Sequence, residues 1–218
     1  MKIGLLGGTF NPIHLGHLRG AEEIREILAL NRIYFIPSSM PPHKDSSDVA
    51  SAADRLKMVE FAIRENPFFD VCDIEVKRGG PSYTVHTLEY FSSKFSEFEI
   101  HFILGAELFS QIHTWKDYKR LFDLANFAVI TRPGFPHSNS IPLALRDDFR
   151  YYKNEESVIF YIHKGSNKTL ALVEIEGIQV SSTRIRELIN RNSSIKYLVP
   201  KEVEAYILKN KIYTKEAI

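Results

Sequence analysis

"GGTFNPIHLGH", residues 7–17, follows the short apolar run "KIGLLG" at 2–7. Two glycines open it, and two histidines three apart, His14 and His17, close it around Gly16. A buried strand, a glycine-bearing turn and then a helix form the place where α/β folds hold a phosphate. Ligands gather there beyond the carboxyl ends of the strands. The next helix aims its free N–H groups and about half a positive charge at the same point. The spacing is not that of a dinucleotide fingerprint. Gly4, Gly7 and Gly8 give G-x-x-G-G, and no G-x-x-x-x-G-K-[ST] loop occurs. "KGSNKT" at 164–169 has similar residues without the spacing.

Outward from this loop, Leu18, Ala21, Ile24 and Leu28 recur at helical spacing. "RIYFIP" (32–37), "FFDVCDIEV" (68–76), "EIHFILG" (99–105) and "FAVITR" (127–132) read as strands, and 52–65 and 83–95 as helices. The alternation predicts an α/β fold: a Rossmann-like parallel sheet, helices on both faces, and a small C-terminal helical part. At 218 residues the chain is sized for a single domain, 1–218. Its main sheet is expected in 1–132, with a surface excursion at 133–157 containing Pro133, Pro136 and Pro142. Residues 158–218 should supply late strands and helices (181–189 and 200–210) packed back on the sheet.

The formal net charge of +1 argues against long-range attraction to nucleic acid. No apolar run reaches the roughly 18–20 residues that span a bilayer. The first ten residues are too short for a secretory signal and lack a cleavage site, so a cytoplasmic location is expected. Cys72 is the only cysteine, which rules out an internal disulfide and a cysteine-based zinc site. Within an apparent strand it reads as a buried, inert thiol.

Residues three apart on a helix share a face, about 5–6 Å between Cβ atoms, so His14 and His17 should look at one place. Zinc would need a third ligand, for which His43 is the nearby candidate, and no carboxylate motif accompanies it. A structural pair, capping or core, is a second reading, and a phosphate-facing pair the third.

The stretch resembles the signature of the HxGH nucleotidyltransferase superfamily. "SSTRIR" (181–186) resembles its second signature. "PPHK" (41–44), "GGPSYTVHTL" (79–88), "GAELF" (105–109), "HTWKDY" (113–118) and "RPG" (132–134) are similar, in order, to one branch, the bacterial nicotinate-nucleotide adenylyltransferases. So is "YLVPKEVEAYILKNKIY" (197–213), and the blocks are scattered over nearly the whole chain.

The resemblance implies transfer of adenylyl from ATP to nicotinate mononucleotide, giving nicotinate adenine dinucleotide and pyrophosphate in NAD biosynthesis. It implies His14, His17 and Arg186 as the catalytic set. Gly7, Gly8, Thr9, Phe10, Gly16, Lys44, Gly105, Glu107, Ser182 and Thr183 are expected on ATP. Gly16 would let the nucleotide lie close to the helix start. Ser182 and Thr183 would donate at a second helix entry, whose plain alternative is an ordinary N-cap. Trp115 would stack on the nicotinate ring, Thr84 would meet its carboxylate, and Tyr83 and His43 would line the acceptor site. The family's Gly-x-Asp is Gly105-Ala106-Glu107 here, an added methylene that displaces the carboxylate.

Mg²⁺ is implied through the ATP phosphates, with no dedicated protein cage. Free histidine titrates near pH 6.5. A phosphate charge about 4 Å away is worth roughly 4 kcal/mol at an effective dielectric constant near 20, so ATP is expected to protonate these histidines. Rival readings are a sister adenylyltransferase acting on phosphopantetheine, flavin or nicotinamide mononucleotide, and a catalytically silent nucleotide sensor. A homo-oligomer is compatible with the sequence.

Overall fold

The computed structural model describes residues 1–40, 49–131 and 141–214. Along the chain lie β1 (Lys2–Gly8), α1 (Leu15–Ile27), β2 (Arg32–Pro37), α2 (Ala52–Ile63), β3 (Phe69–Val71), α3 (Ile74–Arg78), α4 (Thr84–Lys94) and β4 (Glu99–Gly105). There follow α5 (Ala106–Ser110), α6 (Tyr118–Leu124), β5 (Asn126–Thr131), β6 (Phe149–Glu155), β7 (Val158–His163), β8 (Thr169–Glu174), α7 (Ser182–Asn190) and α8 (Lys201–Lys209).

The strand order is β3-β2-β1-β4-β5-β8-β7-β6. β4 runs parallel to β1, β5 to β4 and β8 to β5, while β7 and β6 add on antiparallel. Successive residues of the parallel strands are buried: Ile100, Phe102, Ile103 and Leu104 on β4, and Leu170 through Val173 on β8. Burial without alternation is what a sheet covered on both faces requires. No helix among the described residues is long and apolar enough to cross a membrane.

Three expectations need correction. Of 68–76 only Phe69–Val71 is a strand, and Ile74–Arg78 is a short helix. The apolar-polar alternation there hides an Asp73 N-cap and a Gly79 C-cap at φ 68°, while Glu75 is buried. Cys72 is only half-buried, in the link between these elements. The sheet also does not end at 132. Residues 149–174 add three strands, with β8 beside β5, and β6 arises within the stretch read as a surface excursion. β6 exposes Tyr151 and Tyr152 as an edge strand can, which masks it in a search for buried runs. Residues 132–140 lie outside the described residues.

The chain divides into two compact units. The first comprises Met1–Gly7, Glu22–Tyr34 and Tyr83–Gly177; the second Gly8–Ala21, Phe35–Ser82 and Ile178–Ile218. In the first, a Cβ on Gly4 would stand 2.7 Å from Ile103 Cδ1 and 3.0 Å from Leu30 Cδ1, so these side chains fill the space over the glycine. Buried Glu23 accepts from the backbone N–H groups of Glu176 (2.9 Å) and Gly177 (3.2 Å), holding the chain after β8.

Candidate active site

In the second unit the loop after β1 is built from its carbonyls outward. The Gly8 carbonyl accepts from Ser38 N–H at 2.9 Å, and the Thr9 carbonyl accepts from Arg55 Nη1 at 2.8 Å. In a trans peptide the N–H points opposite to the C=O. Both carbonyls are held on the Ser38 side, so the N–H groups of Thr9 and Phe10 face the other way. Phe10 has φ 47°, a left-handed conformation costly for a bulky side chain. Its buried ring lies against Phe35 and edge-on to His17, at 5.9 and 5.2 Å between centroids. The ring also folds over Gly8, where a Cβ would stand 2.8 Å from it.

His14 is the N-cap of α1: its carbonyl accepts from His17 N–H (2.9 Å) and Leu18 N–H (3.3 Å). His17, three residues on, reaches back so that Nδ1 accepts from the His14 N–H at 3.2 Å. This is one half of a capping box, the N3 side chain reaching back to the N-cap N–H, with an imidazole in place of the usual Glu or Gln. The bond makes Nδ1 an acceptor, so neutral His17 carries its proton on Nε2. The two rings stack at 3.7 Å with 25° between planes. The capping and phosphate-facing readings are therefore compatible. One ring nitrogen of His17 caps while the other is a donor.

The second signature lies on the same loop. Ser181 is the N-cap of α7, accepting from Arg184 N–H. Ser182 Oγ donates to the Pro12 carbonyl at 2.9 Å, and Arg186 Nη1 to the Asn11 carbonyl at 2.9 Å. Ser182 is thus a tie between signatures, and Thr183 and Arg184 are exposed in that first turn. Gly16 has a reason within the fold as well. A Cβ there would meet the Ile178 carbonyl at 2.9 Å and the His14 ring at 3.1 Å. The close approach it permits is that of the protein's own chain.

Sequence reasoning missed three residues. Arg55, 1% exposed, donates to the carbonyls of Ala50, Thr9, Ser38 and Ser39 at 2.7–3.0 Å. Burial lowers its pKa, which the Tyr213 oxygen partly offsets. Asn11 Oδ1 accepts from Ala50 N–H (3.0 Å) and from the Tyr213 hydroxyl (2.8 Å). Burial raises the Tyr213 phenol, outweighing the lowering by Arg186 and Arg55, so it stays a donor. Arg55 sits one turn into a helical pattern, where a surface arginine looks the same.

In the first unit, Thr84 begins α4 with Tyr83 as N-cap. Lys116 Nζ lies 4.8 Å from the Tyr83 ring centroid and 3.4 Å from His86 Nε2, bringing the 113–118 block to the start of α4. Trp115 is half-buried, edge-on to Phe102 at 6.2 Å. Gly105 N-caps α5, and a Cβ there would meet nothing within 4 Å. Glu107 is exposed in the first turn of α5. Gly7 closes the first unit's share of β1, with a Cβ position 3.7 Å from the Phe102 ring. His43 and Lys44 lie outside the described residues. Among the described residues no three His, Cys, Asp or Glu side chains gather to hold a metal.

Comparison with known proteins shows the family of the chain. The cytidylyltransferase-like family model matches residues 5–188. A probable nicotinate-nucleotide adenylyltransferase of Syntrophotalea carbinolica is 42% identical, covering 99% of both chains. One from Geotalea daltonii is also 42% identical, covering 98% of both. Among solved structures, a Plasmodium falciparum nicotinic acid mononucleotide adenylyltransferase complexed with NaAD superposes with a TM-score of 0.72 at 18% identity, covering 97% of each chain. That likeness is one of fold.

Proposed function

The chain belongs to the cytidylyltransferase-like family and, within it, to the nicotinate-nucleotide adenylyltransferases; from that premise we propose the reaction and the roles of its residues. ATP and nicotinate mononucleotide yield nicotinate adenine dinucleotide and pyrophosphate, a step of NAD biosynthesis. The mononucleotide's 5′-phosphate oxygen attacks the α-phosphorus of ATP. A P–O bond forms, the α–β bridging bond breaks, and its electron pair leaves on pyrophosphate. A phosphate monoester is already anionic at neutral pH, so the step needs positioning and charge stabilisation and no general base.

The Thr9 and Phe10 N–H groups, the His14 and His17 rings, Thr183 and Arg186 serve the triphosphate, with Lys44. Gly7 and Gly8 keep the backbone close. Gly105 and Glu107 serve the adenosine end. Trp115, Tyr83 and Thr84 take the nicotinate ring and carboxylate, with His43 beside the acceptor. Mg²⁺ fits as an ion carried in on the triphosphate and held by its oxygens and water. It would neutralise phosphate charge. We place the protein in the cytoplasm, as a single nucleotidyltransferase domain without nucleic-acid or membrane partners.

The observation that carries this reading is the pair of bonds from Ser182 and Arg186 to the Pro12 and Asn11 carbonyls, which set the second signature on the first. Pyrophosphate release from ATP tests it. Nicotinate mononucleotide should support turnover, and nicotinamide mononucleotide at least tenfold less. An amide NH₂ facing N–H donors forfeits a bond worth about 1–3 kcal/mol. Faster turnover with phosphopantetheine or flavin mononucleotide would reassign the acceptor. ATP binding without turnover on any acceptor would make the protein a sensor.

A further inference from the structure

We propose that Arg55 and Tyr213 are positioning residues that hold the triphosphate loop in its ATP-binding form; this rests on the functional reading above. Neither touches the place where phosphate is expected: Arg55 acts through backbone carbonyls and Tyr213 through the Asn11 side chain. Arg55 spreads one guanidinium over four carbonyls, those of Thr9, Ser38, Ser39 and Ala50. Nη1 is shared between Thr9 and Ser38, so it pins the loop after β1 to the end of β2. Holding the Thr9 carbonyl turns the Phe10 N–H outward, and it does so where Phe10 is left-handed. A bulky residue in that region is strained, so the turn persists only where its surroundings over-determine it.

Tyr213 does the same one residue further on. Its hydroxyl and the Ala50 N–H share Asn11 Oδ1, while the Asn11 carbonyl receives Arg186. Asn11, 3% exposed, is fixed from both ends, and through it Tyr213 fixes the anchor of Arg186. The bond spans 202 positions of sequence, so the C-terminal tail sets the geometry of the first loop. The buried Arg55 guanidinium carries its positive charge behind outward-facing N–H groups, a field that favours an anion in front of them.

The test compares Tyr213→Phe, Arg55→Lys and Arg55→Met with the unaltered chain. Calorimetry with a non-hydrolysable ATP analogue reads binding, pyrophosphate release reads both KM values, and thermal melting reads the fold. Tyr213→Phe removes one oxygen and should weaken analogue binding and raise the ATP KM about tenfold. The nicotinate mononucleotide KM should stay within about twofold, because a lost ATP contact changes ATP binding alone. Arg55→Lys, which keeps the charge but not the fork, should retain more affinity than Arg55→Met. Analogue affinity unchanged in a folded Tyr213→Phe chain overturns the proposal. So does an equal rise in both KM values. If Arg55→Met fails to fold, Tyr213→Phe decides. An unaltered chain that binds no analogue overturns the functional reading and the inference together; one that binds it as tightly as every folded variant overturns the inference alone.

Discussion

At the residue scale, His17 has two jobs on two nitrogens, and substitution can separate them. An asparagine at this position would place an amide oxygen where Nδ1 accepts the His14 N–H, while a glutamine is the nearer mimic of Nε2. His17→Asn should therefore melt close to the unaltered chain and lose about 10²–10³ in kcat, the range for removing one donor to a developing charge. His17→Gln, the usual capping-box residue at this position, should also melt close to the unaltered chain and, with its longer reach, keep more activity. Denaturant unfolding and steady-state kinetics on the two variants check this, and identical behaviour of the pair would contradict it. The stack limits charging as well. Two positive rings 3.7 Å apart repel by about 4 kcal/mol at an effective dielectric constant near 20, as much as one phosphate returns. ATP should bring one proton to the pair rather than two, counted by calorimetry in buffers of different ionisation enthalpy; uptake of two would refute the stack as the bound state. Elsewhere, His101 is buried on β4 with Nε2 2.8 Å from Glu99 Oε1. Burial lowers its pKa, more than Glu99 raises it, with Lys2 and Lys168 adding to the lowering. The unfolded chain then binds the proton first. The stabilisation is complete above about pH 6.5 and is lost as pH falls below it toward the folded value. His101→Asn should flatten the fall in unfolding free energy between about pH 7.5 and 5.5, the span around the free imidazole's titration; an unchanged slope would assign that fall to other groups.

At the element scale, the tight places are where segments meet without side-chain room. Glu23 on α1 satisfies two backbone N–H groups of the chain after β8. Glu23→Ala leaves those donors without their carboxylate and should cost about 2–6 kcal/mol by urea unfolding, from about 1–3 kcal/mol for each. A loss under about 1 kcal/mol, below the cost of even one orphaned donor, would mean water replaces it. This part of the structure was not legible in sequence, because a glutamate on a helix reads as solvated. The helices α2, α4, α7 and α8 were legible, since each keeps its apolar positions in helical register. The short helix α3 was not. At five residues its periodicity is indistinguishable from a strand's alternation, and only the Asp73 and Gly79 caps mark it.

At the scale of the whole molecule, the C-terminal segment is part of the second unit's core. Val203 and Ile207 are fully buried on α8, Tyr206 donates to Asp54 Oδ1 at 2.9 Å, and Tyr213 to Asn11. Burying two such aliphatic side chains is worth about 1.5–3 kcal/mol each, a large share of the roughly 5–15 kcal/mol that holds a domain folded. Ending the chain at residue 200 should abolish ATP binding and lower the melting temperature by more than about 10 °C, on the order of 4–8 °C per kcal/mol for a small domain and less for a larger one. A truncated chain that melts like the full one would place the stability elsewhere.

The strand-turn-helix beginning, the α/β class, both signature loops and their residues were determined by the sequence alone. They are local: residue type and spacing dictate apolar strands, a glycine turn and helix starts within a few positions. What only the tertiary structure decided is which groups those loops lean on. The carbonyls that Arg55 gathers, the tyrosine 202 positions from Asn11, and β8 beside β5 are pairings between distant segments. Backbone carbonyls are the same at every residue, so no side-chain pattern along the chain announces which of them a buried guanidinium will find.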